Sequence, residues 1–366
     1  MKRLIVCCDG TWNRADQARD GKPCPTNVLR AAYHIAKRDP EGASIPQILF
    51  YDQGVGTGNA LDRLSGGAFG HGLKDNIFDA YRFLVANYEE GDDVFLFGFS
   101  RGAYTARSLA GMIRNCGILK RTSVTSYLEA LALYQDRKSG PDDDQARKFK
   151  RAHSITGEKD VPIRFIGVWD TVGSMGIPLR GLRALTRRKY QFHDVQLSKT
   201  VQHACHALAI DERRAPFAPT LFFQKPEERK AGQKVEQRWF PGVHSDVGGG
   251  YEDRGLSDLT LEWLLERAGS AGLKVDLSVR TLIPTRANHR GELHSSKKGF
   301  YKVTKGIDRP IGLGPKDPAK PDGAQQEDPT QSVDASVLRR WDEDATYRPP
   351  RLREYFRRTG DRRAND

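Results

Sequence analysis

An α/β fold, with a mainly parallel sheet covered by helices on both faces and interrupted by lid-like insertions, is predicted by three features of this 366-residue sequence. Short β-branched or aromatic runs, each closed by Asp, Gly or Ser, recur along the chain. Stretches with helical apolar periodicity lie between them. The two patterns alternate, which favours parallel strands joined by crossover helices over hairpins.

In chain order, the first strand is "RLIVCCDG". Its apolar run, Leu4 to Cys8, meets Asp9 at once and is too short for a secretory signal. "PQILFYDQGVG" reads as a second strand and "LKDNIFDAYRFLVANY" as an amphipathic helix. "DDVFLFGFS" followed by "GAYTARSLAGMIRNC" is a strand running straight into a helix. "PIRFIGVWDT" and "EQRWFPGVH" are further strands, and "LSDLTLEWLLERAG" is a helix. Ligands of parallel sheets bind beyond the carboxyl ends of the strands. Asp9, Asp52, Ser100, Asp170 and His244 fall at those ends.

Three stretches break the alternation: 118–160, 176–200 and 286–330. They are read as insertions of one domain spanning 1–366, forming a lid or an entrance. The Arg-rich end "RRWDEDATYRPPRLREYFRRTGDRR" reads as a surface helix or tail.

"GFSRG" holds Ser100 between Gly98 and Gly102 at the joint of strand and helix. A serine hydroxyl is a weak nucleophile, so chemistry through it needs a sharp, exposed turn and a base beside it. The pattern G-x-S-x-G supplies the turn, because its glycines remove side chains that would collide there. Asp170 and His244 follow downstream, in the order Ser, Asp, His expected of an α/β-hydrolase-like fold. In that reading His244 takes the Ser100 proton and Asp170 fixes and stabilises the imidazole. The oxyanion would be met by the backbone N–H of Arg101 and by that of Gly10 or Thr11, with Asp9 and Asp246 orienting their loops. The simpler alternatives are a helix-capping Ser100, a turn-capping Asp170 and a His244 bonded to backbone.

No metal or organic cofactor is required for such a site. Rival chemistries are weaker. "CCDGTWNR" places Cys8 and Arg14 at the spacing of cysteine phosphatases, but Asp9 and Trp12 would spoil a phosphate-binding loop. Cys7 stands where an aspartyl phosphatase needs its nucleophile. His244 and Asp246, with Asp9 and Asp52, could hold a divalent ion, although the spacing matches no known ligand pattern.

The composition sets the surroundings. A formal charge of +12 favours an anionic partner such as a phospholipid surface. A nucleic-acid-binding module without catalysis is the non-enzymatic alternative, but no recognition motif supports nucleic acid as a partner. Five cysteines without zinc-type pairing predict reduced thiols and synthesis in the cytoplasm, with any export by a signal-independent route. No apolar run is long enough to cross a membrane.

Taken in order, "CDGTWN", "GFSRGAYTAR", "FIGVWDTVG", "HALAIDERR" and "WFPGVHSDVGGGY", with a weaker "VDASVLRR", give the chain a specific resemblance. It is similar to the α/β-hydrolases of domain of unknown function family 2235, which include the catalytic domain of first-class type VI secretion phospholipase effectors. The resemblance implies a Ser-Asp-His esterase acting on lipid or phospholipid acyl esters. It maps nucleophile, acid and base onto Ser100, Asp170 and His244.

Overall fold

The computed structural model describes residues 1–10, 13, 16–19, 21–39, 44–54, 68–136, 140–173, 196–224, 229–297, 306–314 and 325–365. Its strands are β1 (Arg3–Cys8), a small hairpin of β2 (Ala18–Arg19) and β3 (Lys22–Pro23), β4 (Gln47–Asp52), β5 (Asp93–Phe99), β6 (Phe165–Trp169), β7 (His203–Ala209), β8 (Lys234–Phe240) and β9 (Gln331–Val333). Seven of them form one sheet in the order β4-β1-β5-β6-β7-β8-β9, and every neighbouring pair is parallel.

The apolar runs are continuous because both faces of the sheet are covered. Along β1, Leu4, Val6 and Cys8 enter a core with α2 (Ala68–Asn87) and α3 (Arg101–Cys116). Ile5 and Cys7 enter the opposite core with α1 (Asn27–His34) and the helix Gly255–Ser270. Register then aligns the carboxyl ends. Cys8 lies opposite Asp52 and Gly98, Phe99 opposite Trp169, Trp169 opposite Ala207, and Ala209 opposite Phe240. The residues just beyond these positions therefore emerge along a single edge.

Strand β7, "HACHALA", was not among the strands expected from sequence. Its alanines, histidines and cysteine carry little β propensity, yet all seven residues are buried in the interior of the sheet, between β6 and β8. The C-terminal end is more than a surface tail. The helices Ala335–Glu343 and Pro350–Thr359 bury Trp341, Leu352 and Phe356 against Leu208 and Trp239.

Residues 118–160 contribute α4 (Tyr127–Gln135) and α5 (Asp144–His153), whose Ala130, Leu133, Tyr134, Ala146 and Phe149 complete the core beneath α3. Residues 174–195, most of the second expected insertion, lie outside the described residues. Of the third, the segment 306–314 runs back to the strand ends. Among the described residues no helix is long and apolar enough to cross a membrane.

Candidate active site

The joint between β5 and α3 forces Ser100 into φ 58°, ψ −121°. A side chain in that region strains the backbone by about 1–3 kcal/mol. The flanking glycines make the turn possible. A Cβ at Gly98 would fall 2.6 Å from the Cα of Ala103, and one at Gly102 would run into the carbonyls of Cys8 and Asp9. The Ser100 N–H donates to the Trp169 carbonyl at 3.0 Å. Although Ser100 occupies the N-cap position of α3, its side chain makes no capping bond.

The hydroxyl turns instead to His244. Oγ lies 2.8 Å from His244 Nε2, and His244 Nδ1 lies 2.5 Å from Asp170 Oδ2. Three residues distant in sequence thus form one hydrogen-bonded chain. His244 opens α6 (His244–Gly248), and its ring is held between Phe99 and Phe217, at centroid distances of 4.6 and 4.9 Å. Its backbone N–H donates to Glu212 Oε2 at 3.3 Å.

All three groups are buried, with Ser100 7%, His244 4% and Asp170 0% exposed. Burial pushes the imidazole below its ordinary value, against the upward pull of Asp170 and Glu212. The imidazole is therefore neutral near pH 7 and, with Nδ1–H donated to Asp170, presents the Nε2 lone pair to the hydroxyl. Burial alone would raise Asp170, but Arg309 and His244 outweigh it and hold the carboxyl well below the usual range.

Arg309 was not foreseen. Its guanidinium grips both Asp170 oxygens, at 2.6 and 3.0 Å, and also donates to the carbonyls of Ala209 and Phe217. The Ala209 N–H adds a bond to Asp170 Oδ1 at 3.1 Å. Asp170 itself sits at φ 38°, a conformation Asp tolerates better than most residues. Its carboxylate thus reaches β7 and Arg309. Next to it, His206 Nε2 accepts the Thr171 N–H at 3.0 Å. Burial and Arg107 push His206 down to about 3, so near neutral pH this nitrogen is free of a proton and accepts. Glu212, buried and paired with Arg214, supports His244 from the other side.

Arg101 is the first residue of α3, so its N–H follows Ser100 directly at a helix N-terminus. On the neighbouring loop, Asp9 Oδ1 accepts the Gly10 N–H at 2.6 Å, and Oδ2 accepts the hydroxyls of Thr26 and Tyr51 at 2.5 and 2.8 Å. Burial raises Asp9 to about 6 in spite of these bonds. Gly10 packs tightly on the turn, since a Cβ there would lie 3.3 Å from that of Ser100. Its N–H, however, is committed to Asp9 and would have to be released to serve an oxyanion. Thr11 lies outside the described residues.

Asp246 accepts the backbone N–H of Val243 at 2.9 Å and pairs with His294 Nδ1 at 2.7 Å, tying down the loop that carries His244. His244 and Asp246 thus serve different partners. Asp52 is half-buried, and burial together with Asp79 and Asp9 raises it to about 7. Among the described residues, only His203, Cys205 and Glu236 gather as metal-type ligands, toward the amino ends of β7 and β8. There His203 already bonds Glu236 at 2.8 Å, and Arg267 takes the other carboxylate oxygen at 2.9 Å. Cys7 and Cys8 are buried in β1, and burial pushes both thiols up, away from a reactive thiolate. Arg14 lies outside the described residues.

Residues 2–267 match the family described as "T6SS, Phospholipase effector Tle1-like, catalytic domain". An uncharacterized protein of Saccharomyces cerevisiae, YEL023C, is 32% identical over 246 residues, covering 62% of this chain and 33% of the yeast protein. The chain thus spans about a third of the length of that relative. Among solved structures, an uncharacterized protein from Pseudomonas aeruginosa is similar at 18% identity and TM-score 0.44, covering 78% of this chain and 49% of that one. The Tle1 effector bound to the VgrG spike of the type 6 secretion system is similar at 20% identity and TM-score 0.40, covering 69% and 52%.

Proposed function

The chain belongs to the family of Tle1-like catalytic domains of type VI secretion phospholipase effectors, and from that membership we propose that it hydrolyses carboxylic acyl esters of lipids through an acyl-Ser100 intermediate. The observation that carries the reading is the unbroken chain from Ser100 Oγ to His244 Nε2 and from Nδ1 to Asp170. In the first step Oγ bonds to the acyl carbon while His244 Nε2 takes the hydroxyl proton. The ester C–O bond then breaks and His244 returns that proton to the departing alcohol. A water, deprotonated by the same nitrogen, releases the fatty acid and restores Ser100. Asp170 stays ionised throughout and stabilises the imidazolium.

The developing oxyanion is met by the Arg101 N–H and by the loop that Asp9 holds, through Thr11 or a released Gly10. Neither His244 nor Asp170 needs a metal for these steps. The formal net charge of +12 favours an anionic bilayer as the site of action.

The test is release of fatty acid from anionic phospholipid vesicles, compared with hydrolysis of a soluble short-chain ester. Raising salt from about 0.1 to about 1 M shortens the screening length from ~10 to ~3 Å. Vesicle turnover should fall several-fold more than turnover of the soluble ester. Hydrolysis of neither substrate would reject the ester reading, and equal salt effects would reject the electrostatic docking. A binding module without catalysis would leave both assays empty.

A further inference from the structure

We propose that Arg309 is a positioning residue of this site, clamping Asp170 in place and limiting how strongly that carboxylate pulls on His244. The inference rests on the ester-hydrolase reading and adds a component from outside the family-matched residues 2–267.

The Arg309 side chain is wholly buried, and burial of a guanidinium is costly unless its charge and donors are met. Here two of its nitrogens make four bonds. They reach Asp170 Oδ1 and Oδ2, the carbonyl of Ala209 at the end of β7, and the carbonyl of Phe217, whose ring packs on His244. One group therefore fixes the acid, the adjacent strand end and the wall of the base. Arg geometry suits this, since its planar fork matches a carboxylate edge while its outer hydrogens remain for carbonyls.

The clamp also has an electrostatic consequence. A buried carboxylate facing only an imidazole would stabilise the imidazolium and draw protons onto His244. With Arg309 sharing that charge, His244 remains an unprotonated base further into acid. The other groups facing the pair are Ser100, Glu212 and Arg214 around His244, and His206, itself beside Arg107, near Asp170.

The experiment compares wild type with Arg309→Met and Arg309→Lys on a soluble ester, measuring kcat and KM across pH, with folding followed by circular dichroism and active sites counted by a fluorophosphonate. In Arg309→Met the acid limb of kcat/KM should move up by about one pH unit, and kcat should fall about 10-fold or more with KM little changed. Arg309→Lys keeps the charge and loses the fork, so its limb should stay near the wild-type position while kcat is intermediate. A merely structural role would lower the count of active sites without moving the limb. Should the Met variant fail to fold, the Lys variant decides: a displaced limb, or a wild-type kcat, overturns the clamp. A folded Met variant with wild-type limb and kcat also overturns it. If wild type itself takes no label at Ser100, the ester-hydrolase reading falls; labelled wild type with an unaltered Met variant removes the clamp alone.

Discussion

Replacing Ser100 by alanine is expected to lower kcat for any carboxylic ester by roughly 10⁵ to 10⁶-fold, as for loss of the nucleophile in a serine hydrolase. KM should change little, because the hydroxyl is one small group within the binding surface. The fold should survive. The turn is enforced by Gly98, Gly102 and the backbone bond to Trp169, none of which uses the hydroxyl. The bond lost to His244 is worth about 1 kcal/mol. Steady-state kinetics with a matched unfolding curve checks this. A folded alanine variant that keeps more than about one per cent of wild-type turnover would be incompatible with covalent catalysis at this position.

Asp170→Asn should combine a catalytic and a structural loss. The amide cannot accept from His244 Nδ1, the Arg309 fork and the Ala209 N–H all at once, because one of its two positions is now a donor. If the amide nitrogen faces His244, the imidazole is driven to the wrong tautomer, and a loss of roughly 10⁴ in kcat follows. In either orientation the amide nitrogen also meets an Arg309 nitrogen, donor to donor, because the fork reaches both positions, and at the Oδ1 position it faces the Ala209 N–H as well. Either way a buried guanidinium loses its counter-charge, a destabilisation of about 3–5 kcal/mol.

The pH dependence of that loss has a definite sign. In wild type the folded carboxyl titrates below the unfolded one, so its contribution is present above the unfolded value of about 3.9 and disappears as pH falls through the lower folded value. Urea unfolding should therefore show a large gap between Asn variant and wild type at pH 7. The gap should narrow as both are acidified below about pH 4. A gap that is small, or constant with pH, would contradict the ion pair.

The parts of the site legible in sequence are those carried by strand ends. A β-branched or aromatic run that ends just before Ser100 or Asp170, or a few residues before His244, announces both the strand and the edge at which the next side chain emerges, and parallel register brings such ends together. Gly98 and Gly102 were readable because the turn leaves no room for a Cβ at either. Arg309 was not legible. It arrives from an irregular segment with no periodicity, and an arginine in "GIDRPIG" carries no mark of burial. Glu212 and His206 lie in the motif "HALAIDERR", but their place at the site was hidden, since they belong to or follow β7, whose small residues gave no strand signal.

Gly10 illustrates a different limit. Its place against Ser100 follows from its missing side chain, but the direction of its N–H is set by the Asp9 carboxylate, which sequence spacing does not orient. The C-terminal helices show the converse error, in which a high arginine content masks buried positions. Trp341, Leu352 and Phe356 line the inner faces, Arg348 covers the Trp341 ring, and even Arg340 is buried, donating to the carbonyls of His289 and Gly291.

The central claim is that His244 makes the Ser100 hydroxyl a nucleophile, and covalent capture tests it most directly. The folded protein would be treated with a fluorophosphonate at neutral pH and its peptides mapped by mass spectrometry. One adduct per chain, on the peptide containing Ser100 and absent from a His244→Ala variant, is the predicted result. A folded protein that cleaves lipid esters while carrying no adduct on Ser100 would contradict it.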